Sequence, residues 1–129
     1  MLWYIAVGSA LGGVSRFLIG DTIQRWTSGA FPVGTLLINI TGSLLLGLIM
    51  GYGSESPALG PEVRAFLTVG FCGGYTTFST FSYETIALVR DGEWTRAGLY
   101  AGLSVALSLV ATFVGFVIAR QAFLVRGQA

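Results

Sequence analysis

The fold is decided by residues 70–84, which read Gly-Phe-Cys-Gly-Gly-Tyr-Thr-Thr-Phe-Ser-Thr-Phe-Ser-Tyr-Glu. This run places glycines, phenylalanines and hydroxyl side chains about midway along an apolar segment that is long enough to cross a bilayer. Irregular backbone at membrane depth is tolerated only where it is buried in protein or lines a water-filled path. Polar side chains at that depth mark a route for ions or substrates. The run therefore predicts a membrane helix broken near its middle, in a channel or a transporter.

The composition of the whole chain is that of a membrane protein. Of its 129 residues, 53% are hydrophobic and only 10% are charged, whereas an ordinary soluble domain has about 25% charged residues. Four apolar segments cover residues 2–20, 33–53, 65–89 and 98–120, each near or above the ~20 residues that span the hydrocarbon core. The first lacks the positive n-region of a signal peptide and contains Arg16, so we count it as a span. We predict an all-α membrane protein, with residues 1–129 forming one domain of four transmembrane helices.

Soluble-type catalysis is poorly supported by the residue types present. The chain has no histidine and only one cysteine, Cys72, which rules out an internal disulfide. We interpret Cys72 as a small packing residue, and no cluster has the spacing of a zinc or transition-metal site. We therefore expect that the protein is not an enzyme, and we expect no nucleic-acid partner.

The arginines give no preferred orientation in the membrane. Excess Lys and Arg normally marks the cytoplasmic side, but here three arginines fall on each side: Arg64, Arg120 and Arg126 against Arg25, Arg90 and Arg96. Either this count is too crude for a small protein, or the chain inserts both ways and pairs antiparallel. No internal repeat is evident, although single-chain transporters often contain inverted repeats. Because four spans cannot easily enclose a pore, we expect a homodimer.

Small residues recur at four-residue spacing in three of the apolar segments. Such pairs let helix backbones approach closely in lipid, and they predict a tightly packed bundle. The pairs are Gly8 with Gly12, Gly47 with Gly51, and Gly98 with Gly102.

Polar side chains also recur along the second and fourth segments. Thr35, Asn39 and Ser43 share one helix face because residues four apart are neighbours. They serve either as hydrogen bonds between helices or as part of a polar path. The fourth segment carries hydroxyls at four-residue intervals, which favour a polar track along one face: Tyr100, Ser104, Ser108 and Thr112.

The third segment suggests ion-handling groups. Gly73 and Gly74 offer permissive backbone at the predicted break, where carbonyls without helical partners suit a hard monovalent cation. Phe78 and Phe81 lie three residues apart and face one way. They either pack in the core or turn their electropositive edges toward an anion.

Two charged residues lie near segment ends and allow two interpretations each. Arg16 either snorkels to the headgroups or draws anions into a vestibule. Glu84 either lies at the membrane interface or belongs to that vestibule. We group Arg16, Thr35 and Glu84 as candidate vestibule residues.

Three motifs together resemble the Fluc (CrcB) family of fluoride channels. They are Gly12-Gly-Val-Ser-Arg16, Gly34-Thr-Leu-Leu-Ile-Asn39-Ile-Thr-Gly-Ser43 and the run from Gly70 to Glu84. The resemblance covers all four spans. It implies a dual-topology antiparallel homodimer with two pores, which exports toxic fluoride across the cytoplasmic membrane of a prokaryote and so gives fluoride resistance.

The resemblance also implies roles for individual residues. It places a structural Na+ at the dimer interface, on the main-chain carbonyls of Gly73 and Thr76. The implied fluoride pathway consists of Asn39, the phenylalanines Phe78 and Phe81, the third-helix hydroxyls Ser79 and Thr80, and the fourth-helix hydroxyls Tyr100, Ser104 and Ser108.

Two other functions remain open from the residues alone. A small dimeric proton-coupled multidrug exporter has about this length, but it needs a carboxylate deep in the membrane. Asp21 and Glu84 lie near segment ends. The other alternative is a non-transporting membrane assembly subunit, in which the polar residues only hold helices together.

Overall fold

The computed structural model describes residues 1–55 and 59–127, and in this part of the chain all regular structure is helical. The elements in order are α1 (Leu2–Thr27), α2 (Val33–Glu55), α3 (Pro61–Ala65), the π-helix π1 (Phe66–Cys72), α4 (Gly73–Tyr75), α5 (Phe78–Arg90) and α6 (Trp94–Gly127). The predicted all-α class is confirmed.

Three of these helices are long and apolar enough to cross a membrane: α1, α2 and α6. At 1.5 Å per residue, the 26 residues of α1 and the 34 of α6 extend over roughly 39 and 51 Å. Both exceed the ~30 Å hydrocarbon core. The predicted first and fourth spans, 2–20 and 98–120, therefore lie within longer helices, the first at the start of α1 and the second in the middle of α6.

The third predicted span is broken, as the sequence indicated, but not at the glycines. The helix runs through α3, π1 and α4 to Tyr75, and α5 begins at Phe78. Between them Thr76 and Thr77 are extended, with ψ angles of 159° and 116°. Gly73 has ordinary helical angles, so the break lies three residues after the position that the glycine pair suggested.

Gly74 instead allows α1 to approach the third segment. A Cβ on Gly74 would lie 3.0 Å from the Ser9 Cα atom, closer than side chains pack. The predicted pair Gly8 and Gly12 faces the same contact from α1. A Cβ on Gly8 would lie 2.9 Å from the Phe71 amide nitrogen. Backbone-to-backbone packing of this kind is what small residues permit in lipid.

The most extensive helix contact joins α2 to α6. A Cβ on Gly47 would lie 3.0 Å from the Phe116 amide nitrogen, and one on Gly115 would lie 2.9 Å from the Leu48 amide nitrogen. The third predicted pair behaves differently, because added Cβ atoms on Gly98 and Gly102 meet nothing within 4 Å in the described chain. The spacing therefore predicted two pairs that lie at close helix contacts, whereas the third pair has open space beside it in the part of the chain that the structure describes.

A small apolar cluster forms where α2 begins, α5 ends and α6 begins. Its buried members are Leu36, Leu88, Ala97 and Tyr100. Tyr100 is fully buried, and its ring lies edge-on to Phe31 at a centroid distance of 5.6 Å. This cluster fixes the end of α5 against α2 and α6, and so places the polar side chains of those three helices near one another.

Candidate functional site: the helix break and its two cavities

The break in the third segment is held by the amide side chain of Asn39 on α2. Asn39 Oδ1 accepts a hydrogen bond from the Thr77 backbone N–H at 2.8 Å, and Asn39 Nδ2 donates to the Thr77 carbonyl at 3.0 Å. The Thr77 N–H would reach the Gly73 carbonyl if the helix continued. Asn39 thus replaces helical hydrogen bonds at the break and satisfies main-chain groups that are costly to leave unpaired in lipid.

The Thr77 side chain caps the N-terminus of α5. Its hydroxyl oxygen accepts from the Thr80 backbone N–H at 3.2 Å, which is an N-cap on α5. The same hydroxyl donates to Thr80 Oγ1 at 2.9 Å. Asn39 and Thr80 therefore fix the main chain and the side chain of Thr77 at once.

A groove of about 390 Å³ lies on one side of the break. Of the predicted pathway residues it brings together Asn39, Phe78, Phe81, Ser104 and Ser108. No charged side chain lines it among the described residues. The other polar side chains that line it are the Cys72 thiol and five hydroxyls, of which the threonine hydroxyls already donate within the chain: Ser43, Thr68, Thr76, Thr77 and Thr112.

Ser104 is the least satisfied polar group of this groove. The residue is only 6% exposed, and in the described structure its Oγ atom has no hydrogen-bond partner. A buried hydroxyl without a partner costs free energy. An acceptor in the groove would supply what Ser104 lacks.

A second cavity of about 590 Å³ lies on the other side of the break. It is lined by all three candidate vestibule residues, Arg16, Thr35 and Glu84, and also by Thr80. Charged groups therefore line this cavity, whereas neutral donors line the groove. We call the second cavity the vestibule.

Two carboxylates line the vestibule. Asp21 pairs with Arg25, and Glu84 accepts from two hydroxyl donors. Thr35 Oγ1 donates to Glu84 Oε1 at 2.8 Å, and the Tyr100 hydroxyl donates to Glu84 Oε2 at 2.5 Å. Tyr100 lies behind Phe81, with ring centroids 5.3 Å apart. The structure thus places the Tyr100 hydroxyl with Glu84 and not with Ser104 and Ser108 in the groove.

The remaining pathway residues are distributed around the break. Phe78 is 77% exposed in the single chain and lies against Phe81 with a centroid distance of 5.5 Å. Ser79 is exposed and borders neither cavity, its Oγ atom lying 3.4 Å from Thr77 Oγ1. Thr77 is not among the site residues predicted from the sequence, although a threonine just before a helix start is typical of an N-cap.

The carbonyls at the break have the chemistry that an alkali cation needs. The Gly73 carbonyl loses its next helical donor to Asn39, and the Thr76 carbonyl accepts one hydrogen bond, from Arg16 Nη1 at 3.3 Å. A carbonyl has two lone pairs, so one on Thr76 stays available. No cluster of His, Cys, Asp or Glu that could hold a metal ion occurs in residues 1–55 and 59–127. Neutral main-chain oxygens therefore fit Na+ better than a transition metal.

Comparison with known proteins gives the family. Residues 3–116 match the family model described as CrcB-like protein, Camphor Resistance (CrcB). The chain belongs to the CrcB-like family.

Curated relatives of this CrcB-like chain carry a more specific name. The chain is 48% identical over 120 residues to the Fluoride-specific ion channel FluC of Syntrophotalea carbinolica, covering 93% of this chain and 98% of the relative. It is 48% identical to the protein of that name from Geobacter sulfurreducens, over 91% and 94% of the two chains. It is 49% identical to FluC 1 of Nitrobacter hamburgensis, over 90% and 92%.

Proposed function

We propose that this CrcB-like protein is a fluoride-selective ion channel that exports fluoride across the cytoplasmic membrane of a prokaryote and so relieves fluoride toxicity. The names of its relatives support this function. Three helices that are apolar enough to cross a membrane support the location in a bilayer. The single observation that carries the proposal is the uncharged, donor-lined groove beside the helix break.

The chemistry of that groove suits fluoride. Fluoride is a small, strongly hydrated anion that accepts hydrogen bonds, so its path must offer donors in place of water. Ser104 and Ser108 provide hydroxyls, and Asn39 keeps one amide N–H beyond the one it gives to Thr77. Phe78 and Phe81 add electropositive ring edges. Since no arginine lines the groove, nothing there would trap the anion and slow its passage.

A second copy of the chain would complete the pore. The groove is open on one side and Phe78 is largely exposed, a position that a partner chain would cover. The even distribution of arginines supports antiparallel pairing, with each copy inserted in the opposite direction. In such a dimer two equivalent pores result, one for each groove.

Sodium would bind where the two third segments meet. The Gly73 and Thr76 carbonyls of each copy would hold a structural Na+, and the cation would supply the positive charge that aligns these carbonyls at the break. Thr76→Ser preserves the main chain and should be tolerated. A larger residue at Gly73 should weaken the dimer.

The alternative functions receive less support. A proton-coupled exporter needs a carboxylate deep in the membrane. Asp21 and Glu84 line the vestibule and not the groove, and Glu84 accepts hydrogen bonds from Thr35 and Tyr100. A non-transporting subunit leaves the unpartnered Ser104 hydroxyl without a purpose.

The proposed function is tested with purified protein in liposomes. Liposomes loaded with potassium fluoride should release fluoride when an ionophore lets potassium follow, and a fluoride electrode measures the release. Liposomes loaded with chloride should release almost none, because chloride is a larger and weaker acceptor. Comparable fluxes of the two anions, or no flux of either, would contradict the proposal.

The antiparallel arrangement has its own test. A single cysteine introduced near the C-terminus of a Cys72→Ser background should react with a membrane-impermeant reagent from both sides of the membrane. Reaction from one side only would exclude dual topology.

A further inference from the structure

Thr77 occupies a position that no other described residue shares. It borders both the groove and the vestibule, and the lining residues of the two cavities have no other member in common within residues 1–55 and 59–127. The residue is only 8% exposed. Thr77 therefore forms the wall between the two cavities.

Hydrogen bonds from a neighbouring helix hold the main chain of Thr77 in place. Asn39 pairs with both main-chain groups of Thr77, at 2.8 and 3.0 Å. These bonds set the direction in which the side chain leaves the backbone. Because Asn39 lines the groove while Thr80 lines the vestibule, Thr77 is bonded to one residue from each cavity.

The hydroxyl groups on the two sides of the wall form a chain. Thr77 donates its single hydroxyl hydrogen to Thr80 Oγ1, which leaves the Thr80 hydrogen free to point at an acceptor in the vestibule. A hydroxyl hydrogen turns easily about its C–O bond. An anion in the groove could therefore draw the Thr77 hydrogen toward itself, and Thr80 would then no longer need to accept it.

The geometry points to Thr77 as the residue that hands the anion from the vestibule to the groove, through a hydroxyl that alternates between Thr80 and the anion. No bond other than hydrogen bonds changes in this step. Asn39 is the positioning residue that holds Thr77 in place. This inference rests on the proposed function, since it presumes that an anion passes between the two cavities.

The inference predicts a specific pattern among variants of Thr77. Thr77→Ser keeps the hydroxyl and the N-cap, and should conduct within about threefold of wild type. Thr77→Val keeps the shape but loses the donor, and should reduce fluoride flux per channel by about tenfold or more, as expected when a hydrogen bond to a charged group is lost at the slow step. Thr85→Val is the matched control, since Thr85 lies on the same helix and borders neither cavity.

The measurement must separate slower channels from fewer channels. Liposomes are prepared with so little protein that many contain none, and fluoride efflux then gives both the fraction of active liposomes and the rate in each. The handover role predicts that Thr77→Val keeps the active fraction and lowers the rate. A role in folding alone predicts a lower active fraction with a normal rate, and that result would overturn the inference.

A second variant covers the case in which Thr77→Val fails to fold for want of its N-cap. Glycine is tolerated at an N-cap, so Thr77→Gly removes the hydroxyl with little cost to the start of α5. Its rate per active liposome should also fall about tenfold, and a wild-type rate in either folded variant would refute the handover. Absence of fluoride flux from the wild-type protein would instead refute the proposed function itself.

Discussion

Replacing Asn39 by aspartate is the most informative test of the proposed fluoride path. In Asn39→Asp one carboxylate oxygen can still accept from the Thr77 N–H, now at 2.8 Å, but the second oxygen faces the Thr77 carbonyl where Nδ2 donated at 3.0 Å. The loss of one hydrogen bond in a membrane protein costs roughly 1 kcal/mol, and an ionised aspartate in the middle of a membrane helix costs about 2.5–3.5 kcal/mol more. The fold and the proposed dimer should survive where the new carboxyl is protonated, because the neutral form avoids the second cost.

The introduced charge should also slow conduction. If the introduced charge lies about 6 Å from an anion in the groove, an effective dielectric constant of about 20 gives a repulsion of roughly 3 kcal/mol. A barrier raised by that amount slows passage about 100-fold. Fluoride efflux from liposomes measures this rate, and gel filtration and thermal melting check that the protein is intact.

The same variant should respond to pH. The introduced carboxyl becomes neutral once the pH is low enough to protonate it. The protonated form can donate to the Thr77 carbonyl as the amide does, so efflux should recover at low pH and be lost again at high pH. Thr41→Val, on the same helix but outside both cavities, should show neither effect. Wild-type efflux at all pH values in Asn39→Asp would remove Asn39 from the path.

Three further predictions concern the aromatic rings, the buried tyrosine and the packing glycines. Phe78→Ile and Phe81→Ile should each cost about 1.5 kcal/mol of stability or less, yet at least one of them should lower fluoride efflux by about tenfold. Replacement by Met should have a smaller effect than replacement by Ile. Wild-type efflux rates in both Ile variants would refute the role of the ring edges. Tyr100→Phe deletes one of the two donors to the partly buried Glu84 carboxylate and should lower the free energy of unfolding by about 1–3 kcal/mol in thermal or denaturant melts. An unchanged melt would contradict the importance of that bond. Gly47→Ala pushes α2 away from α6 and should lower the free energy of unfolding by about 1–3 kcal/mol. Gly102→Ala has room for its methyl group and should leave the free energy of unfolding unchanged. Equal losses in the two variants would show that the helix packing is assigned wrongly.

Much of the fold could be predicted because lipid imposes strict rules on sequence. Hydrophobic length placed three of the spans, and the polar interruption near residues 70–84 predicted that the third segment would break. The position of the break was missed because glycine was taken as its cause. At its actual position the main-chain groups pair with a residue distant in the chain, Asn39 with Thr77, which spacing along the sequence does not reveal.

The sequence predicted several residues of the candidate site, but not which of their side chains contact one another. Residues at four-residue intervals share a helix face, so Ser104 and Ser108 could be grouped correctly on one side of the groove. The same rule placed Tyr100 with them, but its longer side chain carries the hydroxyl to Glu84 instead. Thr77 was not singled out because its importance lies in bordering two cavities, which is a property of the folded chain.

We propose that this chain conducts fluoride in preference to other anions. Measuring its reversal potential is the direct test of this selectivity. The purified protein is placed in a planar bilayer with a fluoride gradient and equal chloride on both sides, and the voltage at which the current vanishes is measured. A fluoride-selective channel predicts a current that reverses at the equilibrium potential of fluoride. Reversal between zero voltage and that potential would mean that chloride also carries current, and would contradict selectivity for fluoride.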